Sequence, residues 1–330
     1  MVISLPLQVG IVGTGYVAAR RAEAFEADER TRLVAASGHT WETTLKFGQT
    51  YGAEPQRSWQ ELVNLSHLDL VAVCNVNCDR AEIVRGALAA GKHVIVEYPL
   101  AIAPADAQSL LELAAAQGKL LHVEHIELLG GLHQVLKQYL PLLGQVFYAR
   151  YITITGDRPA AHRWTYHREL FGFPLVGALS RVHRLTDLLG AVAAVSCQTR
   201  YWNAPEAGYF RACLCNAQLR FTNGLIAEVV YGKGEVFWQG YRDFELHGEA
   251  GSLMFAGDAG RLIQGQEQTP IEVGSRRGLI AKDTTMVIDH LVEGTPLYVN
   301  PQASYYALQV ADAARESAAT GQTVFLSTIR

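Results

Sequence analysis

An apolar run, Leu7-Gln8-Val9-Gly10-Ile11-Val12, ends in the turn Gly13-Thr14-Gly15-Tyr16-Val17-Ala18. A helix-like stretch with Val17, Ala18, Arg21, Ala24 and Phe25 on its apolar side follows. The order strand, Gly-x-Gly-x-x-Ala turn, helix constrains the chain more than any other feature. It describes a βα unit that lays a dinucleotide pyrophosphate on a helix N-terminus. Gly13 permits the tight turn, Gly15 lets the backbone approach the phosphates, and Ala18 is small enough for helix to pack on strand. Gly13, Thr14, Gly15, Tyr16 and Val17 are therefore expected to contact a cofactor. A plain strand–helix turn is the alternative, and the next strand at Arg32–Ser37 weighs against it.

Strands and helices alternate through the first 125 residues. Strands are predicted at Leu5–Val12, Arg32–Ser37, Asp69–Cys74, His93–Glu97 and Leu120–Glu124. Helices are predicted near Tyr16–Glu26, Thr40–Phe47, Trp59–Asn64, Asp79–Ala90 and Pro104–Gln117. Gly91 and Gly118 read as C-caps. Such alternation gives α/β architecture, a doubly wound parallel sheet.

The pattern changes after Gly130-Gly131. A helix at Leu132–Tyr139, a strand at Val146–Thr155 and a helix near Leu175–Leu189 precede strand-like runs at Ala194–Trp202, Tyr209–Phe221, Ile226–Tyr231, Arg242–His247 and Ser252–Phe255. Asn223-Gly224 is a hairpin signal between two of them. This half is expected to be α+β with a large, mainly antiparallel sheet, closing with a helix at 302–318. The expected domains are a dinucleotide-binding domain over 1–127 and a substrate domain over 128–330.

Of 330 residues, 49% are hydrophobic and 18% charged, with net charge −4. That balance suits a globular chain and gives no general attraction to nucleic acid. No apolar stretch approaches a membrane span. The apolar opening runs straight into the glycine turn and reads as a strand, not a signal peptide. Five cysteines, an odd number without metal-ligand spacing, predict no metal site and a reducing cytoplasm. The oligomeric state is left open.

The second strand ends Ala35-Ala36-Ser37-Gly38-His39-Thr40, without the acid that binds a ribose 2′-hydroxyl in NAD sites. Its absence admits NADPH, with NADH still possible. Ser37, His39 and Thr40 offer hydrogen bonds to a 2′-phosphate, and Arg20 and Arg21 offer charge or are simply surface residues.

The segment Gly91-Lys92-His93-Val94-Ile95-Val96-Glu97-Tyr98-Pro99 and the two-part layout together resemble the glucose–fructose oxidoreductase/inositol dehydrogenase family. Members typically carry Glu-Lys-Pro at that strand end, and an Asp-x-x-x-His-x-x-Asp helix whose His is the base. Here Tyr98 replaces the Lys. In Ser180-Arg181-Val182-His183-Arg184-Leu185-Thr186-Asp187, aligned on Asp187, Ser180 replaces the Asp and Arg184 the His. His183 is one residue off and points about 100° away from that face. A guanidinium stays protonated and cannot be the base. Loss of these groups argues against sugar oxidation, since general acid–base catalysis typically contributes about 10²–10⁴-fold.

Val96-Glu97-Tyr98-Pro99, Leu120-Leu121-His122-Val123-Glu124-His125-Ile126-Glu127, and Phe171-Gly172-Phe173-Pro174 leading to Ser180-Arg181 resemble the biliverdin reductase family. Tyr209-Phe210-Arg211-Ala212 and Tyr231-Gly232-Lys233-Gly234-Glu235-Val236-Phe237 are similar to its cyanobacterial branch. The resemblance implies an oxidoreductase that reduces biliverdin IXα to bilirubin with NAD(P)H, by hydride transfer to the C10 methine. Arg181, then Arg184, would pair with a propionate or polarise the tetrapyrrole. Tyr98 would lie beside nicotinamide and substrate, and Asn75, Glu97 and Tyr98 complete the expected cofactor contacts. Glu124 or His125 would relay a proton or hold the domain junction by hydrogen bonds. Arg158, His162, Arg163, Trp164, Tyr166, His167 and Arg168, and Lys233, suit a flat dianion or form a solvated surface. The rival functions are a sugar or cyclitol oxidoreductase of the same superfamily and a nicotinamide-sensing regulator without chemistry.

Overall fold

The computed structural model describes residues 5–326; the outermost parts of both expected domain ranges, 1–4 and 327–330, lie outside the described residues. The first part of the chain runs β1 (Leu7–Val12), α1 (Tyr16–Glu26), β2 (Thr31–Ser37), α2 (Trp41–Tyr51), β3 (Glu54–Pro55), α3 (Trp59–Val63), β4 (Leu70–Val73), α4 (Arg80–Ala89), β5 (His93–Glu97), α5 (Pro104–Gln117) and β6 (Leu121–Glu124). The strands form one parallel six-stranded sheet in the order β3-β2-β1-β4-β5-β6. Strand order reverses at β1/β4, the switch point where such sheets bind ligands. The strands are near-continuous apolar runs because both faces are covered. Gly91 and Gly118 take left-handed φ of 73° and 60° and close α4 and α5, as their sequences predict.

The next part comprises α6 (Gly131–Tyr139), β7 (Val146–Gly156), α7 (Arg168–Phe171), α8 (Pro174–Gly177), α9 (Ser180–Leu189), β8 (Val192–Asn203), β9 (Phe210–Phe221), β10 (Ile226–Gly234), β11 (Tyr241–Gly248), β12 (Gly251–Ala256), β13 (Ala259–Gln264) and β14 (Glu267–Glu272). With β15 (Val324–Phe325), these strands make a nine-stranded sheet in the order β14-β13-β12-β11-β7-β10-β9-β8-β15. It is antiparallel except for the β7/β10 pair. Alternation along the second half of β9 sends Cys213, Cys215, Ala217 and Leu219 inward and Asn216, Gln218 and Arg220 outward. The Asn223-Gly224 hairpin forms between β9 and β10, with Gly224 at φ 88°. The single helix expected near Leu175–Leu189 is two helices. The Phe171 ring stands where a Gly177 side chain would be, 2.6 Å from an ideal Cβ, and Ala178 leaves helical geometry.

Two helices follow, α10 (Leu279–Glu293) and α11 (Pro301–Thr320). The chain divides into two compact units. One contains the residues up to Ile126 together with Arg277–Tyr305, the other Glu127–Arg276 together with the residues from Tyr306 onward. The return of 277–305 to the first unit differs from a single boundary after residue 127. Its cause is apolar: Val287 and Ile288 of α10 are buried in the same core as Ala18, Ala22 and Phe25 of α1 and Ile11 of β1. The closing helix runs Pro301–Thr320, slightly longer than expected, and the division between units falls within it.

Candidate active site

In the first unit the turn after β1 has the shape of a phosphate cradle. Gly13 sits at φ 122°, and a Cβ there would meet the Cys74 carbonyl oxygen at 2.7 Å. Its glycine is thus required by the neighbouring β4 end as well as by the turn. Gly15 is the N-cap of α1, with no side chain capping the helix and no protein atom within 4 Å of an ideal Cβ. Open space above an uncapped helix N-terminus fits a pyrophosphate, whose charge the first-turn N–H groups and the helix dipole would stabilise.

Around the end of β2, Ser37 is buried and its carbonyl accepts from Gly13 N–H at 2.7 Å. His39 and Thr40 are exposed, and the Thr40 hydroxyl caps α2 by accepting from Thr43 N–H. Tyr16 is exposed, and the Arg20 guanidinium lies 5.6 Å from its ring centre while pairing with Glu23. Arg21 departs from the sequence expectation. It is fully buried, 2.7 Å from Glu97, 2.9 Å from Asp283 and 2.9 Å from the Thr284 hydroxyl. Its position on α1 faces the core, and its charge is spent on internal carboxylates.

The ends of β4, β5 and β6 lie side by side. Arg80, which belongs to none of the sequence motifs above, donates to the Asn75 carbonyl at 3.0 Å and to the carbonyls of Tyr98 and Pro99. It ties the Asn75 turn to the Tyr98 turn. The Tyr98 ring stacks on His125, centres 5.2 Å apart at 6°. His125 is buried, its Nε2 2.7 Å from the Ser304 hydroxyl, and its backbone N–H donates to the Tyr298 hydroxyl at 3.0 Å. Glu124 is buried, and its carboxylate accepts from Ile126 N–H. Glu97 is held by Arg21. Burial raises the Asp283 carboxyl, but Arg21 and His122 overcome it and hold it below the usual carboxylate range.

In the second unit α9 carries the substituted positions. Arg181 and Arg184, three residues apart, share one face. Arg181 donates to the Ser180 hydroxyl at 2.8 Å, and its guanidinium lies 5.4 Å from the centre of the Tyr231 ring. Arg184 is 6% exposed and lies 5.7 Å from the Tyr151 ring centre. Its Nε and Nη1 are buried and have no hydrogen-bond partner among the described residues, an arrangement that suits an anionic ligand rather than a finished core. His183 points elsewhere, its Nδ1 3.5 Å from the Glu127 carboxylate. Asp187 binds His133 and Lys137, each at 2.8 Å, which hold its carboxyl low against the effect of burial.

Two further arginines and a tyrosine join this cationic group, and no sequence motif marks them. Burial works to raise the Tyr151 phenol, yet Arg184, Arg181 and Arg242 bring it below its ordinary value. Desolvation lowers Arg276, and repulsion from Arg242, Arg181 and Arg184 adds to the effect. Tyr151, Arg242 and Arg276 come from β7, β11 and the segment after β14. Their only sequence signal was charge or aromaticity without a motif.

The Arg- and His-rich loop before α7 is largely self-satisfied. The Arg158 guanidinium lies 3.3 Å from the Trp238 ring centre, Arg163 pairs with Asp157 at 3.6 Å, and Arg168 covers the Tyr201 ring at 4.2 Å. Tyr166 is buried with its hydroxyl on Asp157, and Trp164 lies against Phe171. His162 stacks on Tyr209, and His167 caps α7. Lys233 is buried, donates to the Thr165 carbonyl and lies 4.4 and 4.1 Å from the Tyr166 and Phe171 ring centres. Burial pushes its ammonium down to about 8. It fastens the loop to β10 and does not present a free surface charge.

Residues 7–125 match the family model described as "Oxidoreductase family, NAD-binding Rossmann fold", and 142–326 match "Oxidoreductase family, C-terminal alpha/beta domain". The crystal structure of biliverdin reductase from Synechocystis sp. PCC 6803, in complex with biliverdin and NADP+, is 56% identical and superposes with TM-score 0.93, covering 95% of this chain and 99% of that one. The chain belongs to the biliverdin reductase family. Biliverdin reductase A of Mus musculus is 29% identical over 72% of this chain and 70% of its own length. The Homo sapiens protein of the same name is 31% identical over 48% of this chain and 50% of its own.

Membership in this family agrees with the resemblance carried by Val96-Glu97-Tyr98-Pro99 and by Ser180-Arg181. The Rossmann sheet and the large mainly antiparallel sheet agree with the α/β plus α+β expectation. Among the described residues no helix is long and apolar enough to cross a membrane.

Proposed function

We propose that this chain catalyses NADPH-dependent reduction of biliverdin IXα to bilirubin. The observation that carries the reading is the match over nearly the whole chain to a reductase whose structure holds biliverdin and NADP+. The substitution of arginine for the sugar-oxidising base supports it, because Arg184 stands at that helical position with buried, unpartnered N–H groups.

When bound, NADPH supplies a hydride, two electrons with a proton, to the C10 methine of the substrate, becoming NADP+. One more proton must reach a pyrrole nitrogen to complete bilirubin. The chain's own contributions follow from its two units. The Gly13–Val17 turn and the α1 N-terminus hold the pyrophosphate, and Asn75, Glu97 and Tyr98 border the nicotinamide end. Ser37, His39 and Thr40 border the adenosine end.

Arg181 and Arg184 bind the dianionic tetrapyrrole through its propionates and polarise its lactam and pyrrole side, with Arg242 and Arg276 adding positive potential. A preorganised guanidinium directed at charge that develops as hydride arrives lowers a barrier by about 3–4 kcal/mol. Tyr98, backed by the buried His125 ring stacked on it, offers a flat aromatic surface to the bilin, and Glu124 or His125 relays the proton. We assign the reaction to a reducing cytoplasm, which an odd number of cysteines without metal-ligand spacing suits.

The test is spectroscopic. Purified protein mixed with biliverdin and NADPH is expected to deplete the biliverdin band while the bilirubin band rises. No such exchange at any pH from acid to alkaline would overturn the reading, and oxidation of a sugar or cyclitol instead would favour the superfamily rival.

A further inference from the structure

The end of β2 lacks a carboxylate, which admits a 2′-phosphate without showing what holds it. Two cations near the turn are committed elsewhere: Arg20 pairs with Glu23, and Arg21 is buried between Glu97 and Asp283. The polar groups of the β2–α2 turn are also engaged. Gly38 N–H donates to the Thr44 hydroxyl at 2.9 Å, and the Thr40 hydroxyl is occupied with Thr43.

Arg57 is in a different position. Strand β3 pairs in parallel with β2 through Ala35/Glu54 and Ala36/Pro55, and Gln56 N–H donates to the Ala36 carbonyl at 2.8 Å. The chain therefore leaves β3 alongside the Gly38-His39 turn, at the carboxyl ends of both strands. The Arg57 guanidinium crosses to Trp41, the first residue of α2, and lies 4.5 Å from its ring centre. Both side chains belong to exposed residues. Glu61 binds the backbone N–H of Arg57 at 3.0 Å, and no carboxylate forms an ion pair with the guanidinium among the described residues.

We propose that Arg57, held flat on Trp41, is the residue that recognises the 2′-phosphate of NADPH. The inference rests on the NADPH reading above and adds the group that sets cofactor choice. Stacking uses the face of the guanidinium and leaves its N–H edge free, and that planar fork matches two phosphate oxygens. The indole limits the rotamers of a long side chain, so less entropy is lost when the phosphate binds. A Rossmann site that accepts the 2′-phosphate uses an arginine near the β2 end for this purpose. In this chain that arginine comes from the β3–α3 connection and not from the helix after the glycine turn.

The experiment measures dissociation constants by calorimetry for NADPH, NADH, 2′,5′-ADP and 5′-ADP, with R57A, R57K and wild type. R57A is expected to weaken NADPH and 2′,5′-ADP by about tenfold to a hundredfold, the range of a lost charge-assisted hydrogen bond, and to leave NADH and 5′-ADP within about twofold. R57K is expected to fall between, because an ammonium keeps the charge and loses the fork. A circular-dichroism melt of each variant separates misfolding from lost recognition, and R57K serves if R57A is unfolded. NADPH affinity unchanged in R57A, or NADH affinity reduced as much as NADPH affinity, overturns the assignment while the NADPH reading stands. Wild-type protein that binds NADH more tightly than NADPH overturns both.

Discussion

Arg21 Nη1 lies 2.9 Å from Asp283 Oδ2, and neither side chain has any solvent exposure. The pair joins α1 to α10 across most of the chain's length. Asp283 also receives the Tyr298 hydroxyl at 2.7 Å and lies 2.8 Å from His122 Nε2, while Arg21 continues to Glu97 at 2.7 Å. A hydrogen-bonded path thus runs from α10 to the residue preceding Tyr98. A buried ion pair is not by itself a large stabiliser, since desolvation offsets most of its attraction. Removing one partner is another matter.

Replacing Asp283 by Ala strands the Arg21 charge in the core and leaves His122 and Tyr298 without their shared acceptor. D283A is expected to lose about 3–5 kcal/mol of unfolding free energy, measured by urea titration. D283N, which keeps an acceptor oxygen, is expected to lose less. Because the Asp283 carboxyl is held low in the folded protein, its contribution is complete above its unfolded value of about 4 and fades as pH falls below it. An Asp283→Ala variant as stable as wild type would show that the pair does not hold the unit together.

His93 introduces a second pH dependence, in a milder range. Its Nδ1 accepts the Leu120 N–H at 3.0 Å, which requires an unprotonated nitrogen. Burial, and then Lys119, push it down to about 4. The unfolded chain takes up the proton near pH 6.5 and the folded one only near 4, so stability drops as pH falls between those values. H93N retains an acceptor without the titration. Urea midpoints at a series of pH values from 7 to 4 are expected to fall less steeply for H93N, and parallel curves would refute the assignment to His93.

Much of the Rossmann unit could be read from sequence because its signals are local. The turn at Gly13–Ala18, the C-caps Gly91 and Gly118 and the continuous apolar strands each act within a few residues. Arg21 could not be read this way. Its neighbours describe an amphipathic helix, and Glu97 and Asp283, both far along the chain, explain why the charge points inward. Helix α10 itself escaped prediction, although Gly278 and Gly294, at φ 74° and 73°, bracket it. In the second unit Arg181 and Arg184 were found by their departure from a motif. Arg242, Arg276 and Tyr151 belong to no motif and are brought into the group by sheet pairing and the chain after β14.

Gly13 and Gly15 separate fold from cofactor binding. A Cβ on Gly13 meets the Cys74 carbonyl at 2.7 Å in a backbone conformation with φ 122°. G13A is expected to lower thermal stability and to weaken NADPH binding. A Cβ on Gly15 meets no protein atom within 4 Å, and φ is an ordinary −84°. G15A is expected to be as stable as wild type or more stable by about 0.4–1 kcal/mol, through the unfolded chain. It is nevertheless expected to bind NADPH at least about tenfold more weakly, because the added methyl occupies the space over the α1 N-terminus. Melting curves paired with cofactor titrations check both variants, and a G15A protein with wild-type NADPH affinity would remove the pyrophosphate from this turn.

Arg181 and Arg184 are predicted to act on substrate and not on cofactor. R181A and R184A are each expected to reduce kcat/KM for biliverdin by about 10²–10³-fold, the effect of removing one preorganised donor. The NADPH dissociation constant is expected to stay within about twofold, a fraction of a kcal/mol. The two arginines should nonetheless differ. Arg184 is buried with two nitrogens, Nε and Nη1, that have no partner among the described residues, so R184M relieves unsatisfied groups and is expected to stabilise the protein without substrate while weakening biliverdin binding. Arg181 is more accessible and already bonded to Ser180, so R181M is expected to leave the melting temperature near that of wild type and to lower kcat more than substrate affinity. Stopped-flow reduction of biliverdin, with binding measured separately by the bilin absorption shift, separates the two effects. Equal loss of NADPH affinity in either variant would contradict a role confined to the bilin.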